Sequence, residues 1–99
     1  MSRLETLTKE SWSECLGGSF ELLDDGRGTI IMMLAEVTGL GHGAPGRRDP
    51  YSLVFRGPAS PILPQRIYRL RHERMGNLEL FLVPIGPDGE RMRYEAIFT

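Results

Sequence analysis

Short runs in which hydrophobic and polar residues alternate, separated by glycine and proline, fill most of this 99-residue chain. A period of two is typical of β-strands that bury one face, so the pattern predicts a domain made mainly of strands. The stretch 51–85 is expected to organise the fold, with strands at 51–55, 66–75 and 78–85. The remainder of the chain is expected to add flanking strands and a lid.

The first two central strands are each predicted to bury one face. In the first strand that face is apolar and consists of Tyr51, Leu53 and Phe55. In the second strand an apolar face opposes an arginine face: Tyr68, Leu70 and His72 against Ile67, Arg69 and Arg71. We expect the arginine face to be solvated and His72 to be partly buried and hydrogen-bonded.

The third central strand carries apolar residues on both faces, and we therefore predict it to be the most buried. Its two faces are Leu78, Leu80 and Leu82 against Phe81, Val83 and Ile85. A two-residue turn at Gly76-Asn77 is predicted before it, and Pro84 indicates a sheet margin or a bulge. Pro87-Asp88-Gly89 predicts the last turn. A final strand at 92–98 follows, with Tyr94, Ala96 and Phe98 on one face.

Residues 4–16 are the one good helix candidate. Thr8 is a suitable N-cap, and Trp12 and Leu16 are four residues apart, which gives one apolar stripe beside Cys15. Gly17-Gly18 is expected to stop the helix. Because so short a helix is unstable alone, we expect Trp12 to plug an open end or cover one face of the sheet.

Residues 19–38 predict a hairpin around the turn 24–28. Phe20 and Leu22 share one face of its first strand. The second strand, 29–38, is apolar on both faces, as in a central strand or one covered on both sides, and its β-branched residues favour strand over helix. Glycine and proline make 39–50 a loop, with His42 exposed. The proline-rich segment 58–64 is predicted to cross rigidly between layers, with Ile62 and Leu63 in the core.

These elements predict one domain, residues 1–99, of mostly β (α+β) class, with about six antiparallel strands and one short N-terminal helix. The hairpin occupies 19–38 and a meander of strands occupies 51–99. Apolar residues on both faces of two strands favour a closed or nearly closed barrel, since closure removes edges. A two-layer sandwich is the alternative.

Composition is ordinary for a soluble domain: 40% of residues are hydrophobic and 25% are charged. No apolar run approaches the roughly 20 residues that span a bilayer, and the N-terminus lacks a secretory signal, so we expect a cytoplasmic protein with no membrane partner. The lone Cys15 has an apolar neighbour and is expected to be a buried, inert thiol. Only folding could bring a histidine close enough to make it a nucleophile.

Net charge is −1, but its distribution is uneven. Residues 1–45 and 76–99 are acidic, whereas 46–75 are basic. The basic residues of this middle part form the candidate interaction surface: Arg47, Arg48, Arg66, Arg69, Arg71 and Arg74. Arginine binds carboxylates and phosphates in two-pronged fashion, although arginine in place of lysine throughout a chain also reflects base composition.

Several spaced motifs resemble one known family. They include SLVFRGP at 52–58, LPQ at 63–65, LFLVP at 80–84 and YEAIF at 94–98. The chain resembles, over nearly its whole length, a bacterial family of uncharacterised small domains whose members often accompany phage-tail-collar or tail-fibre-like proteins. The resemblance implies no assigned activity and no catalytic residues, and it raises the weight of an assembly role. The loop 39–50 matches no part of that pattern.

No residue spacing indicates a catalytic pair, a metal site or a cofactor, so we expect no enzymatic activity and no cofactor. The favoured hypothesis is a protein-interaction or structural module with a protein partner, and the opposed charges also suit homo-oligomers. Nucleic acid is the alternative partner, bound by a small barrel through the arginine-rich strand 66–74.

Overall fold

Six strands close into an antiparallel barrel in the order β1-β2-β3-β6-β5-β4. The computed structural model describes residues 7–23, 29–46 and 49–99. Its elements are α1 (Lys9–Ser13), β1 (Ser19–Leu23), β2 (Ile30–Gly39), β3 (Tyr51–Pro58), β4 (Arg66–His72), β5 (Gly76–Asp88) and β6 (Arg91–Phe98). The predicted mostly β class is confirmed. Of the two predicted architectures, the structure has the closed barrel and not the two-layer sandwich.

Two long strands turn the corners of this barrel. β2 pairs with β1 through residues 30–33 and with β3 through residues 33–39. β5 likewise pairs with β4 through 76–82 and with β6 through 83–88. Strands that pass from one sheet to another commonly do so at bends or bulges. Both corner strands thus belong to both halves of the barrel.

Each corner strand carries an irregularity in its second half. The register of β2 shifts between Leu34 and Glu36, and that of β5 shifts between Pro84 and Gly86. Gly86 has a φ of 110°, which residues with a side chain rarely adopt. The bulge or margin predicted at Pro84 is confirmed.

The outer faces of the corner strands are exposed, so of the two interpretations of β2 the central strand, paired with β1 and β3, is the one observed, and not a strand covered on both sides. In β2, Met32 points into the barrel while Ile31 is exposed, and in β5, Leu80 points inward while Phe81 is exposed. β5 is also not the most buried strand. That strand is β3, in which six of eight residues are buried; it pairs with β6 along its whole length and with β2 through residues 51–56.

Trp12 fills one end of the barrel, as predicted. Its ring is fully buried and lies 6.1 Å from the ring of Phe20 and 6.5 Å from that of Phe55. Trp12 Nε1 donates a hydrogen bond to Tyr51 Oη at 2.9 Å, and that hydroxyl donates to the carbonyl of Leu7 at 3.3 Å. One tyrosine therefore ties the helix to the barrel.

The helix is shorter than the predicted 4–16. Thr8 caps it as expected, accepting from the Ser11 amide at 3.3 Å, but it ends at Ser13; residues 4–6 lie outside the described residues. The Gly17 amide donates to the carbonyl of Leu34 at 2.8 Å, so the chain joins β2 before another helical turn forms. Leu16 is exposed, contrary to the predicted stripe, and Cys15 is buried as expected.

The segment between β3 and β4 covers the opposite end. Leu63 is buried, and its amide donates to Tyr94 Oη at 2.9 Å. Tyr68 Oη donates to the carbonyl of Pro64. The prediction for Leu63 is confirmed, but that for Ile62 is wrong, since Ile62 is 60% exposed.

Two turns differ from their predicted positions. His72 pairs with Gly76, so the β4–β5 loop is 73–75 and β4 ends at His72; Gly76, at a φ of 75°, follows the loop. Asp88 pairs with Arg91, which shifts the last turn to Gly89-Glu90. The predicted turn 24–28 lies outside the described residues.

The glycine-rich loop begins at Leu40, because β2 extends to Gly39. Leu40 donates its amide hydrogen to the carbonyl of Pro50 at 2.9 Å, which closes the base of the loop. Elsewhere in the described ranges, the single helix has neither the length nor the apolar composition to cross a bilayer.

Candidate interaction surface

The arginines of 66–74 do not form one continuous basic face. Arg69 and Arg71 point outward from β4, as predicted, and Arg74 lies in the following loop. Arg66 lies at the first position of β4, and its guanidinium carbon is 5.0 Å from the centre of the Tyr68 ring. Arg47 and Arg48 lie outside the described residues.

Carboxylates lie beside the arginines of β4 and its loop. Arg71 forms an ion pair with Glu21 of β1, directly across the strands, and Arg74 lies 3.6 Å from Glu14. Arg69 is opposite Glu79 of β5. Exposed ion pairs contribute little stability, but they cancel charge at short range. The outer face of β1, β4 and the first half of β5 is therefore close to neutral.

Among the large apolar side chains exposed on the outside of the barrel, three lie on the adjacent strands β4, β5 and β6, and we name them the outer cluster. Ile67, Phe81 and Ile97 are 61%, 50% and 59% exposed, respectively. Ile67 and Phe81 are direct partners across β4 and β5. Val83 is opposite Glu95, so Phe81 and Ile97, each two residues from that pair, share the outer face of β5 and β6. The cluster thus spans three adjacent strands.

The outer cluster was visible only in part from the sequence. The pattern did place Ile67 on the arginine face and Ile97 on the polar face of the last strand. Phe81 was missed because an apolar residue between two others was taken to mean a covered face. The useful signal would have been the register, which places Phe81 opposite Ile67.

His72 has a structural role at the end of β4. Its ring stacks on Phe20 with centres 4.4 Å apart, and Nδ1 accepts from the amides of Arg74 at 3.1 Å and Met75 at 3.2 Å. The predicted partly buried, hydrogen-bonded histidine is confirmed. These bonds hold the 73–75 loop onto the end of β4.

A polar cleft of about 490 Å³ separates the helix from the glycine-rich loop. Its walls include Lys9, Glu10, His42 and Asp49. Asp49 accepts from the amide of Gly43 at 2.8 Å and lies 4.0 Å from His42 Nδ1, and His42 is exposed, as predicted. Within the described ranges, no group of three or more His, Cys, Asp or Glu residues is placed to hold a metal ion.

The fold and this surface define a small closed β-barrel that carries an apolar outer cluster beside a charge-balanced arginine strand. The chain belongs to the family described as Domain of unknown function (DUF6916), whose match spans residues 7–98. The resemblance to an uncharacterised small-domain family is therefore confirmed. Neither a curated protein nor a solved structure matches the chain.

Proposed function

We propose that this domain is a non-enzymatic protein-interaction or structural module that binds a protein through the outer cluster. The observation that carries this proposal is the exposure of Ile67, Phe81 and Ile97 on the outer faces of three adjacent strands, with Ile67 directly opposite Phe81. Soluble monomers rarely expose contiguous apolar patches above a few hundred Å². Large apolar and aromatic side chains are typical of the centre of a protein interface.

The positions of the reactive side chains also support a non-enzymatic role. Nδ1 of His72 accepts hydrogen bonds from two backbone amides, and Cys15 is buried in the core. Both residues line one cleft beside Gly17-Gly18, but among the described residues no hydrogen bond joins the thiol to the imidazole. A general base or a nucleophile needs a reactive partner at hydrogen-bond distance.

Nucleic-acid binding through strand 66–74 is the second candidate. Arg66 over Tyr68 favours it, because arginine and aromatic side chains together stack on bases. The carboxylates beside Arg69, Arg71 and Arg74 weigh against it, because binding to a polyanion requires uncompensated positive charge. The protein-binding proposal therefore takes precedence.

The biological setting belongs to the same proposal. The resemblance to domains that accompany tail-collar or tail-fibre-like proteins supports an assembly role in a phage-tail-like system. The cytoplasmic location expected from the sequence is part of this proposal as well. Fold alone implies neither, because one barrel architecture serves many functions.

The test is affinity capture from a nuclease-treated lysate of the native host, with three baits: the wild-type protein, Phe81→Arg and Ile62→Arg. Ile62 is a matched control, because it is equally exposed but lies between β3 and β4, outside the cluster. We expect wild type and Ile62→Arg to retain the same protein in stoichiometric amount, and Phe81→Arg to lose it. Equal retention by all three baits would contradict the proposal, and co-eluting nucleic acid that is released by salt would favour the alternative.

A further inference from the structure

The charges around the outer cluster are arranged symmetrically about Phe81. Glu79, two residues before Phe81 in β5, is opposite Arg69 of β4. Val83, two residues after Phe81, is opposite Glu95 of β6. Arg69 and Glu95 therefore lie on opposite sides of Phe81, each displaced by one strand and two residues. One is a cation and the other is an anion.

This arrangement is complementary to itself. Two copies of the chain can be related by a two-fold axis that passes through Phe81. This axis lies in the plane of contact and is perpendicular to the line from Arg69 to Glu95. Rotation about it stacks Phe81 on the second copy's Phe81 and brings each Arg69 to the Glu95 of the other copy. Two-fold interfaces use the same patch twice, so a patch with opposite charges at its two ends matches itself.

The local environment of Glu95 favours such a contact. Glu95 is flanked by Val83 on β5 and Val54 on β3, and it forms no ion pair within the described part of the chain. A partner cation thus meets a carboxylate that has no competing ion pair there. Arg69 keeps Glu79 beside it and can contact a second carboxylate, because a guanidinium offers five N–H donors.

We propose that the protein bound by the outer cluster is a second copy of this chain, in a two-fold dimer centred on Phe81. The inference rests on the proposed function and names its partner. The cluster supplies the apolar centre, and the charged residues around it supply the rim.

Sedimentation equilibrium of the purified protein tests the dimer, again with Phe81→Arg and the control Ile62→Arg. We expect wild type and Ile62→Arg to sediment as dimers and Phe81→Arg as a monomer with an unchanged circular dichroism spectrum. A wild-type monomer overturns the inference, as does a dimer that persists in Phe81→Arg. Should Phe81→Arg fail to fold, Ile97→Arg takes its place with the same two outcomes.

Charge reversal tests the symmetry itself. In Arg69→Glu two carboxylates meet at each end of the interface, and in Glu95→Arg two guanidinium groups meet, so each change is expected to raise the dissociation constant about tenfold or more. The double variant R69E/E95R restores both opposite-charge pairs and is expected to recover most of the affinity. Absence of recovery, in variants that keep the wild-type spectrum, overturns this geometry.

The two proposals fail in distinguishable ways. If the wild type is a monomer and Phe81→Arg abolishes capture of another protein, then the dimer is wrong and the interaction surface stands. If the wild type is a monomer and capture does not depend on Phe81, then both are wrong. Both are supported if the wild-type dimer is lost in Phe81→Arg, weakened by each single charge reversal and recovered in R69E/E95R.

Discussion

Trp12 and Tyr51 are 39 residues apart, yet Nε1 of the tryptophan donates to the hydroxyl of the tyrosine at 2.9 Å in the buried core. The bond joins the helix to the first residue of β3. The same hydroxyl donates to the carbonyl of Leu7, so it orients the chain on both sides of the helix N-cap. The stability of this end of the barrel therefore depends on one oxygen atom.

Tyr51→Phe should leave the indole N–H of Trp12 buried without its acceptor. We expect the free energy of unfolding to fall by about 1–3 kcal/mol, the usual cost of an unsatisfied buried polar group. Urea denaturation followed by far-UV circular dichroism measures it in both tryptophan-containing and tryptophan-free variants. In a Trp12→Phe background the indole donor is absent, so Tyr51→Phe should lower the free energy of unfolding by clearly less. An equal loss of stability in both backgrounds would show that the Trp12–Tyr51 hydrogen bond does not cause the destabilisation.

Leu63→Ala should destabilise the opposite end. The leucine is buried against the core, and truncation of a buried leucine to alanine usually costs about 2–5 kcal/mol. Its neighbour provides the control, because Ile62→Ala removes an exposed side chain and should change stability by less than about 0.5 kcal/mol. Similar midpoints of thermal unfolding for the two variants would contradict the position of Leu63 in the core.

His72→Phe should loosen the 73–75 loop without disturbing the barrel. Phenylalanine keeps a ring against Phe20 but removes the Nδ1 acceptor of the Arg74 and Met75 amides. We expect faster hydrogen exchange at those two amides and a loss of about 0.5–1.5 kcal/mol in global stability. Amides of β3 are the internal reference, and unchanged exchange at Met75 would exclude the bond in solution.

Glu14→Gln together with Glu21→Gln should unmask Arg74 and Arg71. With their carboxylates present, we expect little retention of the wild type on immobilised single-stranded DNA at moderate salt. The double variant should elute at higher salt, because two cations are no longer compensated. Strong retention of the wild type would instead revive the nucleic-acid alternative.

The residues that face the interior of the barrel could be predicted, because the alternation of apolar and polar residues along a strand indicates which of its faces is buried. Phe20 with Leu22, and Leu53 with Phe55, were assigned to the correct faces, although β3 also buries Ser52 and Val54 on its other face. Alternation fails in the corner strands. There an outward apolar residue such as Phe81 looks the same in sequence whether a layer of the same chain covers it or nothing does.

Local signals failed where pairing at long range overrides them. Gly17 has the left-handed conformation expected of a helix stop, with a φ of 82°, but the helix already ends at Ser13 and the Gly17 amide donates to the carbonyl of Leu34. Gly76 was expected within a turn, but its positive φ is used after the loop, where it begins β5. Whether glycine serves as a stop, a turn or a first strand residue is decided by the partner strand.

The shared corner strands also determine how the molecule comes apart. β2 and β5 each contribute backbone hydrogen bonds to two ladders, one in each half of the barrel. Loss of either strand breaks pairing on two sides at once. Unfolding is thus expected to be a single cooperative transition, with the Trp12 end and the Leu63 end melting together.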